Sequence, residues 1–93
     1  MLERILKQMQ ERVRTRQYVM TLHAEEEMND DGLTIFDVER GILSGKIIER
    51  QKDSDTGEWK YLIAGKTLAN NRVVVVTKPS PTVKFVSITV YLE

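Results

Sequence analysis

The sequence has 93 residues and a mass of 10.8 kDa, the size of one domain with one modest hydrophobic core. With 41% hydrophobic and 30% charged residues, its composition is that of a globular protein, which excludes a disordered or collagen-like chain. The absence of cysteine excludes disulfide bonds and cysteine-based zinc sites. We therefore expect a single domain over residues 1–93.

The 14 basic and 14 acidic side chains cancel, which argues against a protein that holds nucleic acid by bulk charge alone. Their distribution is uneven, because residues 1–45 carry a formal charge of −3 and residues 46–93 one of +3. No apolar run reaches the roughly 18 residues of a membrane span, and the N-terminal segment is amphipathic and charged. These features predict a cytoplasmic protein with no membrane contact.

The first predicted element is an amphipathic α-helix that begins at Leu2 and ends between Thr15 and Gln17. Its apolar side chains recur every three or four residues, at Leu2, Ile5, Leu6, Met9 and Val13. The next four residues, from Tyr18 to Thr21, are β-leaning and mostly apolar. They predict either a brief strand or an extended link.

A second, short helix is predicted over residues 23–29. Thr21 is a candidate N-cap, since its hydroxyl can accept a hydrogen bond from the first free amides of the helix. The acidic run at residues 25–27 lies near the positive end of the helix dipole. Gly32 can adopt the left-handed conformation that ends a helix.

A third helix is predicted directly afterwards. Thr34 and Asp37 have the spacing of a capping box, in which each side chain binds a backbone amide near the start of the helix. Ser44 and Gly45 end it. The polar segment between the second and third helices predicts a tight corner.

After Gly45 the hydrophobic period changes from that of a helix to the two-residue period of strands. Four strands are predicted, at residues 46–50, 59–64, 73–77 and 83–92. The nearly continuous valine of residues 73–77 is typical of a strand that is covered on both faces or lies at the centre of a sheet. By alternation, Phe85, Ser87, Thr89 and Tyr91 are expected to share one face of the last strand.

The order of these elements predicts an α+β fold, with N-terminal helices packed on a four-stranded, mainly antiparallel sheet. Helices at the start of such a chain cover only one face of the sheet. The other face, or the last strand, is therefore the predicted binding surface.

His23 is the only histidine, and histidine is the only side chain whose ordinary pKa lies close to neutrality. Glu26 and Glu27 follow at i+3 and i+4, where a carboxylate can orient the imidazole. The arrangement fits a general acid or base, and it also fits a structural histidine at a helix start. The chain has no phosphate-binding loop, nucleophile elbow, histidine pair or complete calcium loop, so no metal or cofactor is predicted.

The sheet half offers the residue types that bind RNA. Tyr91 and Thr89, with Tyr61 and Trp59 on a neighbouring strand, would place hydroxyls and aromatic rings on one surface, where nucleobases can stack. Four basic residues of the same half are candidate phosphate ligands, namely Lys60, Arg72, Lys78 and Lys84. The alternative is that Trp59 and Tyr61 face the core and that the lysines form an ordinary solvated surface.

Several segments together resemble a small bacterial family of unknown function with the pattern S-x-H-A-x-x-R-M-x-x-R-G-I, D-V, L-x-x-G-x-I and I-T-V-Y. The matching segments are Thr21-Leu22-His23-Ala24, Met28, Asp31-Gly32-Leu33, Asp37-Val38, residues 42–48 and Ile88-Thr89-Val90-Tyr91. The resemblance covers about residues 18–92. That family is placed with the RelE/ParE-like toxin superfamily, whose members pack two N-terminal helices on a small antiparallel sheet.

The resemblance implies a toxin–antitoxin ancestry, with a cognate antitoxin as partner and mRNA or the ribosome as target. If the protein is an active ribonuclease, we expect His23 to act as acid or base in metal-independent cleavage, with Tyr91 and Tyr61 orienting the RNA. Arg72, Lys84 and Lys60 would contact phosphates. Glu27 and Asp31 stand where the common pattern has arginine, and these carboxylates would repel phosphate.

Two hypotheses follow from the sequence. The first is a toxin-like ribonuclease or a divergent, inactive relative of one. The second is a non-catalytic protein-interaction module, which would use a sheet edge or the first helix to bind a partner or a second copy of itself as a homodimer.

Overall fold

The computed structural model describes residues 2–79 and 85–93, and for residues 85–88 it describes the backbone alone. Three helices and five strands follow in the order α1 (Leu2–Arg14), β1 (Tyr18–Met20), α2 (Leu22–Asp30), α3 (Ile35–Ser44), β2 (Lys46–Lys52), β3 (Trp59–Lys66), β4 (Arg72–Pro79) and β5 (Phe85–Leu92). The α+β class predicted from the sequence is confirmed. None of the helices in the described part of the chain is long and apolar enough to cross a membrane.

The apolar stripe of α1 packs inwards, and its Met9 and Val13 side chains are buried. The helix ends at Arg14, one residue before the predicted segment. The amide of Arg16 donates to the Val13 carbonyl and the amide of Gln17 donates to the Arg12 carbonyl. This Schellman arrangement requires a left-handed residue, and Arg16 occupies that position with a φ of 58°.

The two caps predicted for α2 are present. The Thr21 hydroxyl accepts from the Ala24 amide at 3.1 Å. At the other end Gly32 has a φ of 69°, and the amide of Leu33 donates to the Met28 carbonyl at 2.8 Å. Local chemistry therefore fixes both ends of this nine-residue helix.

The capping box at the start of α3 is also present. The Thr34 amide donates to Asp37 Oδ2 at 2.9 Å, and the Asp37 amide donates to the Thr34 hydroxyl at 3.4 Å. The other carboxylate oxygen, Asp37 Oδ1, accepts from the Leu68 amide at 3.0 Å. One carboxylate thus joins the start of α3 to the turn between β3 and β4.

The sheet has the strand order β1-β5-β4-β3-β2. Strands β2 to β5 form the predicted antiparallel meander. The prediction left open whether the segment after α1 is a strand, and the structure resolves it as β1, which pairs parallel to β5 in the register Val19↔Val86. It becomes a strand because its extended backbone lies beside the last strand, whose outer edge would otherwise lack hydrogen-bond partners.

The helices pack on one side of the sheet, called here the covered face, and the side chains that point towards them are Tyr61, Ile63, Val73, Val75, Thr77 and Val90. These six side chains are at most 6% exposed. They meet the buried Val38 and Ile42 of α3. The core therefore lies between the sheet and its helices.

A close helix–sheet contact lies at Gly65 of β3. A Cβ atom on Gly65 would lie 1.9 Å from the carbonyl oxygen of Gly41, and one on Gly41 would lie 2.8 Å from Val73 Cγ1. Both positions are glycine because the α3 backbone rests directly on the sheet, with no room for a side chain.

Candidate binding surface

The opposite side of the sheet carries no described helix, and we call it the open face. Its members follow from strand alternation and register, and they are Lys46, Glu49, Gln51, Lys60, Leu62, Ala64, Lys66, Arg72, Val74, Val76, Lys78, Thr89 and Tyr91. Val74 pairs with Ala64 on one side and with Tyr91 on the other. The open face is therefore an apolar centre surrounded by polar and basic side chains.

The centre of the open face is buried although the described helices all lie on the other side. Val74 is 1% exposed and Val76 is 7% exposed. The cross-strand neighbours of Val76, which are Leu62 and Thr89, are half-buried, as is Lys60. Cross-strand neighbours in a sheet lie within contact distance, and lysine stems pack along apolar surface, so Leu62, Thr89 and Lys60 can contribute to this cover.

The open face has a surplus of cations. Lys78 binds Glu58 at 2.9 Å, and Arg72 lies 4.0 Å from the Glu93 carboxylate. Within the described residues, no carboxylate lies within 4.0 Å of the three other cations, which are Lys46, Lys60 and Lys66. Their charges are therefore available to an anionic ligand.

Three of these cations converge at one end of the open face. A groove of about 340 Å³ is lined there by Lys46, Lys66 and Arg72, which come from three adjacent strands. Ala64 and the exposed Ile48 supply an apolar part of its wall. Glu93, which lies beside Arg72, also lines the groove, which thus combines apolar surface with three cations and one carboxylate.

Tyr91 lies on the open face, as predicted, and is 38% exposed. Tyr61 does not share that surface. It is 6% exposed on the covered face, and its carbonyl accepts from the buried Thr77 hydroxyl at 3.3 Å. The prediction that both tyrosines lie on one surface was wrong. Tyr61 pairs with Thr77 and Tyr91 pairs with Val74. Because Thr77 and Val74 are three residues apart on β4, they belong to opposite faces of the sheet.

His23 lies near the start of α2, with its side chain 66% exposed. Its Nε2 atom contacts Glu27 Oε1 at 2.8 Å, so the carboxylate at i+4 orients the imidazole as the sequence suggests. Helix α2 packs against β5 from the covered side. The sheet therefore separates His23 from Tyr91, and Tyr61 is buried between the sheet and its helices.

The surface around His23 is acidic. A shallow depression there is lined by His23, Glu26, Glu27, Asp30 and Asp31. The two positions at which the resemblance pattern has arginine, Glu27 and Asp31, both lie in it. Among the described residues, no group of three or more acidic or histidine side chains has the geometry to hold a metal ion.

The structure places the candidate phosphate ligands differently. Lys60 and Arg72 both lie on the open face, and Lys84 lies outside the described residues. Sequence reasoning missed Lys46 and Lys66. Their positions in the two-residue alternation of β2 and β3 are the signal that could have identified them.

A separate polar contact lies between β1 and α3, where the Tyr18 hydroxyl donates to the Glu39 carboxylate. Burial raises the pKa of Tyr18 above its usual value, and the nearby negative charge of Glu39 raises it further. The phenol therefore stays protonated and remains a donor. This contact fastens the short edge strand to the helical layer.

Comparison with known protein families gives one match. A family model described as "Domain of unknown function (DUF4258)" matches residues 20–92, which include every element from the end of β1 to the end of β5. No curated protein and no solved structure matches the chain significantly. Helix α1 lies outside the matched residues.

Proposed function

The chain belongs to the DUF4258 family of domains of unknown function, and from this premise we propose that it is a toxin-like protein that binds RNA through the open face of its sheet. The observation that carries the proposal is the juxtaposition of Tyr91 with unpaired cations on a face that no described helix covers. The toxin–antitoxin assignment rests on the resemblance to RelE/ParE-like toxins.

The chemistry of the open face suits RNA. Tyrosine rings stack on unpaired bases, and threonine or tyrosine hydroxyls can bind the ribose 2′-OH. Lysine and arginine contact phosphates without reading sequence. Because the cations come from several strands, they would follow an extended backbone across the sheet, as in other single-strand-binding surfaces.

The geometry favours binding without cleavage. Acid–base cleavage needs its groups within hydrogen-bond reach of one scissile phosphate. His23, Tyr61 and Tyr91 lie at three separate places, and the surface around His23 is acidic. We therefore assign the protein to the divergent, non-cleaving form of the toxin hypothesis, with mRNA or ribosomal RNA as target and a cytoplasmic antitoxin as partner.

Binding can be measured by the fluorescence anisotropy of a labelled RNA oligonucleotide. We expect Lys60→Gln combined with Arg72→Gln to weaken binding at least about tenfold at 0.1 M salt, and to reduce the slope of log K against log salt by about 2. The matched control is Arg4→Gln with Lys7→Gln on the exposed side of α1, which changes the charge equally. Equal weakening by both double variants would refute an open-face site.

Cleavage is tested separately by inducing the protein in bacteria without any antitoxin. For a binding toxin, wild type and His23→Ala arrest growth alike, and total RNA stays intact. Decay of RNA that the His23→Ala substitution abolishes would overturn the non-cleaving assignment and place His23 in a catalytic mechanism. Normal growth with both proteins soluble and folded would contradict toxicity.

A protein-interaction module is the second candidate, and the acidic surface of α2 favours it. Its exposed carboxylates include Glu25, Glu26, Asp30 and Asp31, which repel RNA and attract a basic protein segment. Under this alternative, sedimentation should show a homodimer or a complex that high salt dissociates, and no RNA should bind.

A further inference from the structure

The β2–β3 hairpin carries an aromatic group with two cations that the open face does not include. The Arg50 guanidinium carbon lies 4.7 Å from the centre of the Trp59 ring, and Lys52 Nζ lies 5.8 Å from it. Lys52 is the cross-strand partner of Trp59, and Arg50 pairs with the next residue of that face, Tyr61. We call these three side chains the Trp59 cluster.

The Trp59 cluster is accessible from solvent. Trp59 is 39% exposed, although the next two side chains of its face, Tyr61 and Ile63, are buried. Arg50 and Lys52 are exposed. The helical layer therefore covers β3 only as far as Tyr61, and the end of the hairpin extends beyond it.

Among the described residues, the two cations of the Trp59 cluster have no acidic partner. No described carboxylate lies within 4.0 Å of Arg50 or Lys52. The nearby loop acid Asp53 directs its Oδ1 to the amides of Asp55 and Thr56 at 2.9 and 3.4 Å. The described contact of these two side chains is therefore with the face of the Trp59 ring and not with a carboxylate.

The hairpin lies at an edge of the sheet, since β2 is the outermost strand. Trp59 is on the covered side of this hairpin, and the adjacent Lys60 is on the open face. A flexible strand that passes round β2 would cross the width of that strand, roughly 5 Å, on each side of the sheet. The Trp59 cluster is thus a continuation of the open face round its edge.

We infer that the Trp59 cluster is a base-stacking site for single-stranded RNA, which passes round the β2 edge from the open face. An unpaired base stacks on the indole, and Arg50 and Lys52 move from the ring to the phosphates on either side of that base. The inference rests on the proposed function and adds the substrate class. In a duplex the bases are stacked on one another and the ring has no access to them.

The chain has a single tryptophan, so fluorescence excited at a wavelength that its three tyrosines do not absorb reports on this site alone. The protein is titrated with an unlabelled single-stranded RNA oligonucleotide, with the matched duplex, and with inorganic polyphosphate. We expect single-stranded RNA to quench the fluorescence of Trp59, with half-maximal quenching at the RNA concentration that gives half-maximal anisotropy change. The duplex and polyphosphate should cause little quenching. Equal quenching by polyphosphate would mean that anions merely displace the two cations, and would overturn base stacking.

Variants separate this inference from the proposal on which it rests. Trp59→Leu should weaken binding of labelled single-stranded RNA at least about fivefold, and Trp59→Phe, which keeps a ring, should weaken it less. Arg50→Gln with Lys52→Gln should weaken binding more than the α1 control pair does. Thermal melting of each variant checks that the hairpin remains folded.

Two further results would overturn the inference. If RNA binds, depends on Lys60 and Arg72, and yet leaves Trp59 fluorescence and the Trp59→Leu affinity unchanged, the open-face proposal stands and the base-stacking site is wrong. If no RNA binds to the folded wild-type protein, the proposed function and the inference fail together.

Discussion

Strand β4 has two faces that are buried by different means. On the covered face Val73 and Val75 are fully buried against helices. On the open face Val74 and Val76 are almost as deeply buried, yet no described helix lies over them. The valines are equivalent in exposed area and differ in what lies above them.

The difference separates stability from recognition. Helices that rest on a sheet are fixed by many contacts and cannot move aside independently. Lysine stems and tyrosine rings rotate on the nanosecond timescale, and a ligand can displace them. The covered face should therefore determine the free energy of unfolding, and the open face should tolerate the rearrangement that binding requires.

The largest expected effect is at the contact between Gly65 and Gly41 on the covered face. Gly65→Ala places a Cβ atom against the Gly41 backbone, which no rotamer change relieves, so we expect a loss of at least about 3 kcal/mol in unfolding free energy. Urea unfolding measures it, with Lys66→Ala at the adjacent exposed position as control. A Gly65→Ala variant as stable as the control would show that α3 does not rest on the sheet.

The most direct test compares adjacent valines. We expect Val75→Ala to cost about 2 to 3 kcal/mol, because helices and sheet cannot close the cavity, and Val74→Ala to cost about 1 kcal/mol, because mobile side chains fill it. The two losses are measured from urea unfolding at a common m-value. Equal losses would mean that the open face is as rigidly packed as the covered one.

A smaller effect is expected where the helical layer meets the β3–β4 turn. The Thr34 amide, followed by that of Leu68, lowers the pKa of Asp37 below its usual 3.8. Its stabilising contribution is therefore full above about pH 4 and is lost as the pH falls through the lowered pKa. Asp37→Asn should cost about 1 kcal/mol at neutral pH.

Asp37→Asn should also make the free energy of unfolding less dependent on pH below pH 4, in the acid limb of the stability curve. Thr34→Ala is the matched control, because it removes the cap and keeps the titrating carboxylate with its bond to the Leu68 amide. An unchanged acid limb in Asp37→Asn would show that other carboxylates cause the acid sensitivity.

The smallest effect is a gain. Arg16 is a non-glycine residue with a φ of 58° at the end of α1, and Arg16→Gly should stabilise the protein by about 0.5 to 1 kcal/mol. Arg16→Ala removes the same charge and keeps the strain, so it should give no gain. RNA affinity should not change in either variant, since α1 belongs to the covering layer.

The helices were predictable from sequence because their signals are local. The hydroxyls of Thr21 and Thr34, the Asp37 carboxylate and the left-handed Gly32 each act within a few residues of their own position. The all-valine centre of β4 was likewise identified from composition. Each of these inferences needed only the spacing of neighbouring residues.

The assignment of side chains to the two faces of the sheet was harder to predict from the sequence. Tyr61 and Tyr91 are both aromatic residues in strands, and only the register with β4 places them on opposite sides. In β5 the register shifts, so that Thr77 pairs with Ser87 and Val76 pairs with Thr89. The local sequence does not mark this shift, and the side chains of Phe85 and Ser87, which the predicted alternation placed with Thr89 and Tyr91, lie outside the described residues.

The contact of α1 with the sheet also buries a methionine whose oxidation rate depends on the motions of α1. Met9 is 2% exposed, and its sulfur lies 3.1 Å from the Thr77 hydroxyl oxygen. Peroxide can convert this thioether to the sulfoxide only when α1 separates from β4. The rate of Met9 oxidation, followed by mass spectrometry of peptides, would therefore report how often the helix that precedes the family-matched residues detaches from the rest.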